Sequence, residues 1–351
     1  MFAIEENVPL AEFTTFRIGG KARFFMQATN ETEIIKSLEF AERNNLKVFI
    51  LGGGSNVLIS DEGFDGLVLQ IALKGISTFA ENDRTVFVTA QAGEDWDEFV
   101  AFCVEKNLQG VECLSGIPGF VGGTPVQNVG AYGQEVSESI VSVRVFDRQT
   151  KEIKKLINSE CGFAYRTSIF NSTEKNRYII LAVTYALKFG GEPKVVYADL
   201  KKHFADRKPN LKEMRQAVCE IRADKAMLVR QGGADAQSAG SFFKNPIVSA
   251  EKFAEIENNA ENLGLENVPS YKIDGQNVKI PAAWLIENAG FRKGFIKGNV
   301  GLSTKHTLAI TNRGQATAKE ILNLMEEIQK NVKDRFGIVL KPEPVFVGFE
   351  K

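Results

Sequence analysis

Ser115-Gly-Ile-Pro-Gly-Phe-Val-Gly-Gly-Thr-Pro-Val-Gln-Asn-Val-Gly-Ala-Tyr-Gly133 has no hydrophobic period that would make it a helix or a strand. Gly116, Gly119, Gly122, Gly123, Gly130 and Gly133 permit close approach by a ligand, while Pro118 and Pro125 stiffen the path between them. Short polar groups sit in between: Ser115, Thr124, Gln127 and Asn128. Such a loop presents main-chain N–H groups in concave runs, which suit phosphate oxygens or the polar edge of a flat cofactor. A plain connecting loop of this length, with apolar insertions and no charged residue, is uncommon.

The 351-residue chain is long enough for two or three domains with ample core. Its formal net charge of −1 gives no general field for nucleic acid or anionic lipid, so an anionic ligand must be held by local cations. No apolar run reaches the roughly 18 residues that cross a bilayer. Met1-Phe-Ala-Ile-Glu-Glu6 has neither the basic start nor the apolar core of a secretory signal. Cys103, Cys113, Cys161 and Cys219 are scattered without pair spacing, which suits a reducing cytoplasm. The only histidines, His203 and His306, are far apart, so no metal site is expected.

The N-terminal part alternates strands and helices. Thr32 can cap a helix with the apolar face Ile34, Ile35, Leu38 and Ala41, and a strand Lys47–Leu51 follows. Gly52-Gly-Gly-Ser-Asn56 then makes a second glycine loop straight after a strand, again pointing to phosphate contact. Val57 stands where a Rossmann fingerprint needs its third glycine or alanine, and Thr15 where a Walker loop ending at Gly20-Lys21 needs its first glycine. Asp61-Glu-Gly-Phe-Asp-Gly66 reads as a turn, since Ala72 replaces the glutamate a calcium loop requires. From Ile71 to Leu187 strand signals dominate (Val86–Ala90, Ser142–Asp147, Tyr178–Leu187), interrupted by one helix burying Trp96, Phe99, Val100 and Cys103. The pattern predicts a mixed sheet and an α+β class. A charged helical region over 210–230 leads to a composition change at Gln231–Gly240, where a boundary is expected. Helices follow near 250–263, 282–289 and after Thr317, the last opening with a Thr317/Glu320 capping box and ending at Gly337.

Three short patches carry candidate chemistry. In Phe163-Ala-Tyr-Arg166 an arginine follows aromatic residues, and arginine grips a carboxylate by two parallel N–H bonds. In Gly240-Ser-Phe-Phe-Lys-Asn-Pro246 a serine is backed by two phenylalanines; no Gly-x-Ser-x-Gly elbow exists, so a serine hydrolase is a poor fit. In Leu340-Lys-Pro-Glu-Pro344 a glutamate is held extended between two prolines. Taken singly, each has a bland reading as a surface or packing residue.

Together, and in this order, Thr15–Gly20, Gly52–Asn56, Ser115–Gly133, Tyr165-Arg166, Gly240–Pro246 and Pro342-Glu343 closely resemble the UDP-N-acetylenolpyruvoylglucosamine reductase (MurB) family over nearly the whole chain. The resemblance implies a two-lobed FAD-binding fold of the vanillyl-alcohol-oxidase type plus an α/β substrate-binding domain. The corresponding division is 1–68, with 338–351 returning to it, then 69–215 and 216–337. Lys194-Val-Val-Tyr197-Ala-Asp-Leu200 looks like the tyrosine-bearing loop of the family's first type, which closes over substrate.

By the same resemblance, Ser241 is the proton donor, with Arg166 and Glu343 as partners. Reduced flavin would deliver hydride to the β-carbon of the enolpyruvyl ether, and charge would grow on the α-carbon and its carboxylate. Arg166 would stabilise that charge, Glu343 held as an acid would hydrogen-bond the same carboxylate, and Ser241 would protonate the α-carbon. FAD, held non-covalently, would lie on Gly52, Gly53, Gly54, Ser55 and Asn56 of one loop and on Ser115, Gly116, Ile117, Gly122, Gly123, Thr124, Gln127, Asn128, Gly130, Ala131 and Tyr132 of the other, with Arg222 toward its phosphates. Lys225 and Tyr197 would hold the substrate diphosphate, Asn245 the sugar nucleotide and Tyr165 the substrate beside Arg166; His306 is a further candidate. NADPH would enter the same cleft, reduce FAD and leave, so ping-pong kinetics are expected of a cytoplasmic monomer. Pro344 departs from the branched residue expected after Glu343, and Gln231–Gln237 departs in its glycine and alanine content. Two alternatives stay open: an oxygen-using flavin oxidase on the same scaffold, and a nucleotide-sugar-binding module without catalysis.

Overall fold

Stretches rich in β-branched and aromatic residues set the strands, and glycine- and proline-bearing loops connect them. The computed structural model describes residues 3–228, 233 and 235–349. Two compact units emerge. The first takes Met1–Val8, Lys21–Gly54 and Phe64–Asp224; the second takes Pro9–Gly20, Ser55–Gly63 and Lys225–Lys351.

In the first unit, one sheet has the strand order Glu5–Pro9, Lys21–Ala28, Phe64–Ile71, Lys47–Leu51. Lys21–Ala28 and Lys47–Leu51 both run parallel to Phe64–Ile71. Helix α1 (Glu31–Arg43) buries Ile34, Ser37 and Ala41. Its cap is Asn30, whose side chain accepts from the Glu33 amide, and not Thr32 as the sequence predicts. Glu33 returns a carboxylate to the Thr29 amide, and this reciprocal pairing starts the helix two residues earlier.

A second sheet runs Glu152–Ile157, Ile140–Asp147, Tyr178–Phe189, Thr85–Gln91, Ile76–Ala80, with Leu108–Gln109 also paired to Tyr178–Phe189. Every pairing in it is antiparallel, where a mixed sheet is expected. The turns joining Ile76–Ala80 to Thr85–Gln91 and Ile140–Asp147 to Glu152–Ile157 are too short for a parallel crossover. The parallel pairs lie elsewhere. Helix α2 (Trp96–Glu105) buries Trp96, Phe99, Val100 and Cys103, as its pattern predicts. Helices α3 (Ala198–Phe204) and α4 (Leu211–Asp224) share a small apolar cluster of Leu200, Phe204, Met214 and Val218 with Cys113.

The second unit is built on α5 (Ala250–Asn262), α6 (Ala282–Asn288) and α7 (Ala318–Phe336). Ile321, Met325, Ile328, Val332 and Phe336 form the buried stripe of α7, the Thr317/Glu320 capping box opens it, and Gly337 closes it at φ 67°. Asp61 adds a second cap, accepting from the amides of Ala318 (2.8 Å) and Lys319 (3.1 Å). The turn expected over 61–66 is confined to its first half, since Phe64–Gly66 already lie in a strand. Two small antiparallel sheets and a parallel pair, Val345–Val347 with Val57–Ile59, complete the unit. No described helix is long and apolar enough to cross a membrane.

Candidate active site

The long glycine loop is stitched to the start of α2. The Trp96 amide donates to Gly119 O (2.9 Å), the Val121 amide to Glu94 O (2.8 Å), and the Trp96 indole to Leu114 O (3.0 Å). The Gly116 amide donates to the Asp97 carboxylate at 2.6 Å. Gly119 sits at φ 123°, open in practice only to glycine. The two glycine loops meet backbone to backbone, for a Cβ on Gly53 would lie 2.8 Å from Gly119 Cα. Gln70, itself bonded by Gln27, donates to Gly52 O.

Several polar residues expected to touch the cofactor bond to the protein itself, within the loop or just beyond it. Ser115 Oγ donates to Glu112 O (2.7 Å), and Thr124 Oγ1 to Val121 O (2.8 Å). Asn128 donates to Glu135 and to Ala164 O, and accepts from the Ser137 amide. Their direct effect is to shape the loop. Ile117 packs on the core, Gln127 is half-buried, and Ala131 pairs with Gln134 in a two-residue ladder. By contrast, a Cβ on Gly52 or Gly123 would meet nothing within 4 Å, so open space borders both loops. Arg222 on α4 is buried, and burial lowers its pKa, opposed by Tyr132, Cys219 and Asp97. A buried guanidinium calls for an anion. Open space beside the glycines and this buried cation together fit a dinucleotide with a diphosphate, while the amides of Gly116, Gly122, Gly123 and Thr124 bond the protein itself.

Arg166, also in the first unit, has left-handed backbone (φ 51°). Its Nη2 donates to Gly130 O (2.8 Å), and its guanidinium lies over the half-buried Tyr165 ring at 5.4 Å. Tyr197 is 40% exposed and meets Tyr132 edge to face at 5.3 Å. Beside it, Val196 lies flush on Gly133, whose Cβ would stand 2.3 Å from Val196 Cγ2.

Ser241, Glu343, Asn56, Ser55, Asn245, Lys225 and His306 belong to the second unit. Phe242 and Phe243, which follow Ser241, are both fully buried, and Ser241 is half-buried. The Glu343 amide donates to Phe242 O (2.8 Å) and the Lys244 amide to Lys341 O (3.0 Å), pairing Phe243 with Pro342. This short antiparallel ladder brings Ser241 and Glu343 onto neighbouring segments from a hundred residues apart in sequence. Asn56 secures the far side: its side chain donates to Glu343 O (3.3 Å) and its carbonyl accepts from the Val345 amide. Ser55 O accepts from Thr15. Asn245 Oδ1 accepts from the Ala282 amide (2.9 Å) at the start of α6. His306 is half-buried; burial, then Lys225 and Lys293, push its pKa down to about 4. Its Nδ1 accepts from the Leu308 amide (3.2 Å), which requires that nitrogen unprotonated.

Two charged residues escape sequence reading. Asp97 lies in the acidic run Glu94–Glu98, which reads only as a helix start. Asp235, from the unusual segment Gln231–Gln237, bonds Arg313 (2.9 Å) and both the amide and hydroxyl of Thr304. A lone aspartate among glycines and alanines gives no hint of that. Gln231, Gly232 and Ala234 of that segment lie outside the described residues.

Comparison with known proteins agrees with this arrangement. An FAD binding domain family matches residues 22–155, so the first unit is of the FAD-binding class. A second family, described as the C-terminal domain of UDP-N-acetylenolpyruvoylglucosamine reductase, matches 232–347. The chain is 46% identical to the UDP-N-acetylenolpyruvoylglucosamine reductase of Thermobifida fusca over 97% of both chains. It is 43% identical to that of Streptomyces coelicolor, covering 97% of this chain and 90% of the relative. Its fold is that of the Thermus caldophilus reductase crystal structure, with a TM-score of 0.66 at 24% identity over 99% of this chain and 100% of that one. The chain belongs to the UDP-N-acetylenolpyruvoylglucosamine reductase family, whose members are FAD-dependent oxidoreductases.

Proposed function

We propose that this protein uses NADPH to reduce UDP-N-acetylglucosamine enolpyruvate to UDP-N-acetylmuramate in peptidoglycan precursor synthesis, as a cytoplasmic monomer. FAD, when bound, would supply the two-electron chemistry that links NADPH to the enolpyruvyl β-carbon. The chain's own residues handle charge and the proton. Arg166 grips the substrate carboxylate, where preorganised positive charge stabilises the enolate-like state. Glu343 shares that carboxylate. Ser241 Oγ gives its proton to the α-carbon; a hydroxyl is a weak acid, so this needs close positioning. Lys225 and Tyr197 hold the diphosphate, Asn245 the sugar nucleotide, and neutral His306 offers a hydrogen bond in place of a charge. Arg222 and the two glycine loops hold FAD, and the chain divides into two FAD-binding lobes, 1–68 with 338–351 returning to it and 69–215, and a substrate-binding domain, 216–337.

The observation that carries the reading is the antiparallel ladder that brings the segment bearing Ser241 next to the segment bearing Glu343, with Phe242 and Phe243 buried. It supports a proton donor carried on backbone that is held in place beside buried aromatic residues. Stopped-flow absorbance of the two half-reactions tests it. Ser241→Ala is expected to leave flavin bleaching by NADPH intact and to block reoxidation by the enolpyruvyl nucleotide. Equal slowing of both would reject the role.

A further inference from the structure

We infer that Asp97 and Arg215 form a positioning pair that sets the cofactor-holding loop and Arg222 in register, an inference resting on the reading that these bind the FAD diphosphate. Asp97 is in the first turn of α2, where a carboxylate is favoured by the helix dipole. Its Oδ1 accepts from the Gly116 amide (2.6 Å) and from Arg215 Nη1 (2.5 Å), and its Oδ2 from Arg215 Nη2 (3.0 Å). The pair is largely withdrawn from water, at 22% exposure for the arginine side chain and 10% for the aspartate. Arg215 and Arg222 are seven residues apart on α4, two helical turns on one face. Asp97 is also close enough to Arg222 to oppose the burial that lowers its pKa. One carboxylate therefore joins three elements: the start of α2, the tight turn at Gly116 and the helix bearing the buried guanidinium.

A buried fork–fork pair fixes geometry more than it adds stability, because desolvation offsets much of its attraction. Its loss should therefore appear in ligand affinity, and on the phosphate side of the ligand. The experiment titrates apo-protein with FAD and with riboflavin, which lacks the diphosphate, by flavin fluorescence, and records apo melting temperatures. Asp97→Asn keeps the shape but loses the charge and one acceptor. It should raise the FAD Kd roughly 10- to 100-fold, as expected for a lost charged hydrogen bond, with little change for riboflavin. Arg215→Lys, which keeps the charge and loses the fork, should give a smaller shift of the same kind and serves if Asp97→Asn does not fold. FAD affinity within twofold of wild type in the folded variants overturns the inference, as does equal weakening of FAD and riboflavin. Arg222→Met run alongside separates the premise: if it leaves FAD affinity unchanged, the reading of Arg222 fails by itself.

Discussion

Gly53→Ala places a methyl group where the two glycine loops touch. The added Cβ would stand 2.8 Å from Gly119 Cα and 3.0 Å from Phe120 N, against an ordinary contact of at least 3.4 Å. The backbone must yield by about 0.6 Å (3.4 − 2.8), and neither atom is the end of a flexible side chain. Overpacking of this kind costs about 1–3 kcal/mol. Restriction of the unfolded chain by alanine returns about 0.4–1 kcal/mol. The net loss is on the order of 1–2 kcal/mol, a fall in apo melting temperature of about 2–4 °C per kcal/mol. Gly123→Ala is the control, since its Cβ meets nothing within 4 Å. It should melt with the wild-type apo-protein yet bind FAD roughly tenfold or more weakly, the methyl entering space that the ligand needs. Calorimetry of the apo-proteins and flavin fluorescence titration read the two effects separately. An apo Gly53→Ala protein as stable as wild type, or a Gly123→Ala protein binding FAD normally, refutes the reasoning.

His306 is held neutral, with its pKa pushed from 6.5 down to about 4 mainly by burial. Between those values the unfolded chain binds more protons than the folded one, so stability is full above pH 6.5 and declines as pH falls toward 4. His306→Gln should flatten that decline in urea unfolding measured across the range; an unchanged pH profile would count against it. Asp61→Ala removes an acceptor from the Ala318 and Lys319 amides and should lower stability by about 0.5–2 kcal/mol while kcat stays put. Gly133→Ala combines a strained φ of 81° with a clash against Val196 and should raise KM for the enolpyruvyl nucleotide by displacing the Tyr197 segment. A wild-type KM would remove that link.

Local signals were legible wherever chain periodicity alone decides structure. The strand Lys47–Leu51, the buried face of α2 and the capped stripe of α7 all follow from spacing. Strand direction was not, because short connections fixed it for two pairings of the second sheet and long-range pairing, not residue types, for the rest. Of the candidate site, the residues beside Ser241 could be named in advance, but not the ladder joining 242–244 to 341–343, which is a long-range pairing. The glycine loops announced their openness, while the atoms that hold them, Asp97, Gln70 and Arg215, looked like ordinary helix and strand residues. Sequence shows which positions must be small or rigid. It is silent on which distant charge keeps them so.

The parallel pairing of Val345–Val347 with Val57–Ile59 bears on how the chain can be made. Phe16, Ile18 and Leu58 share the second unit's core with residues from Phe242 to Leu340. That unit is thus sewn from three remote pieces of the chain. Contacts of such long separation fold slowly. Neither 225–351 expressed alone nor a chain stopped short of Val345 has the partners to bury what it contains, so the second unit can form only once all three pieces are present together.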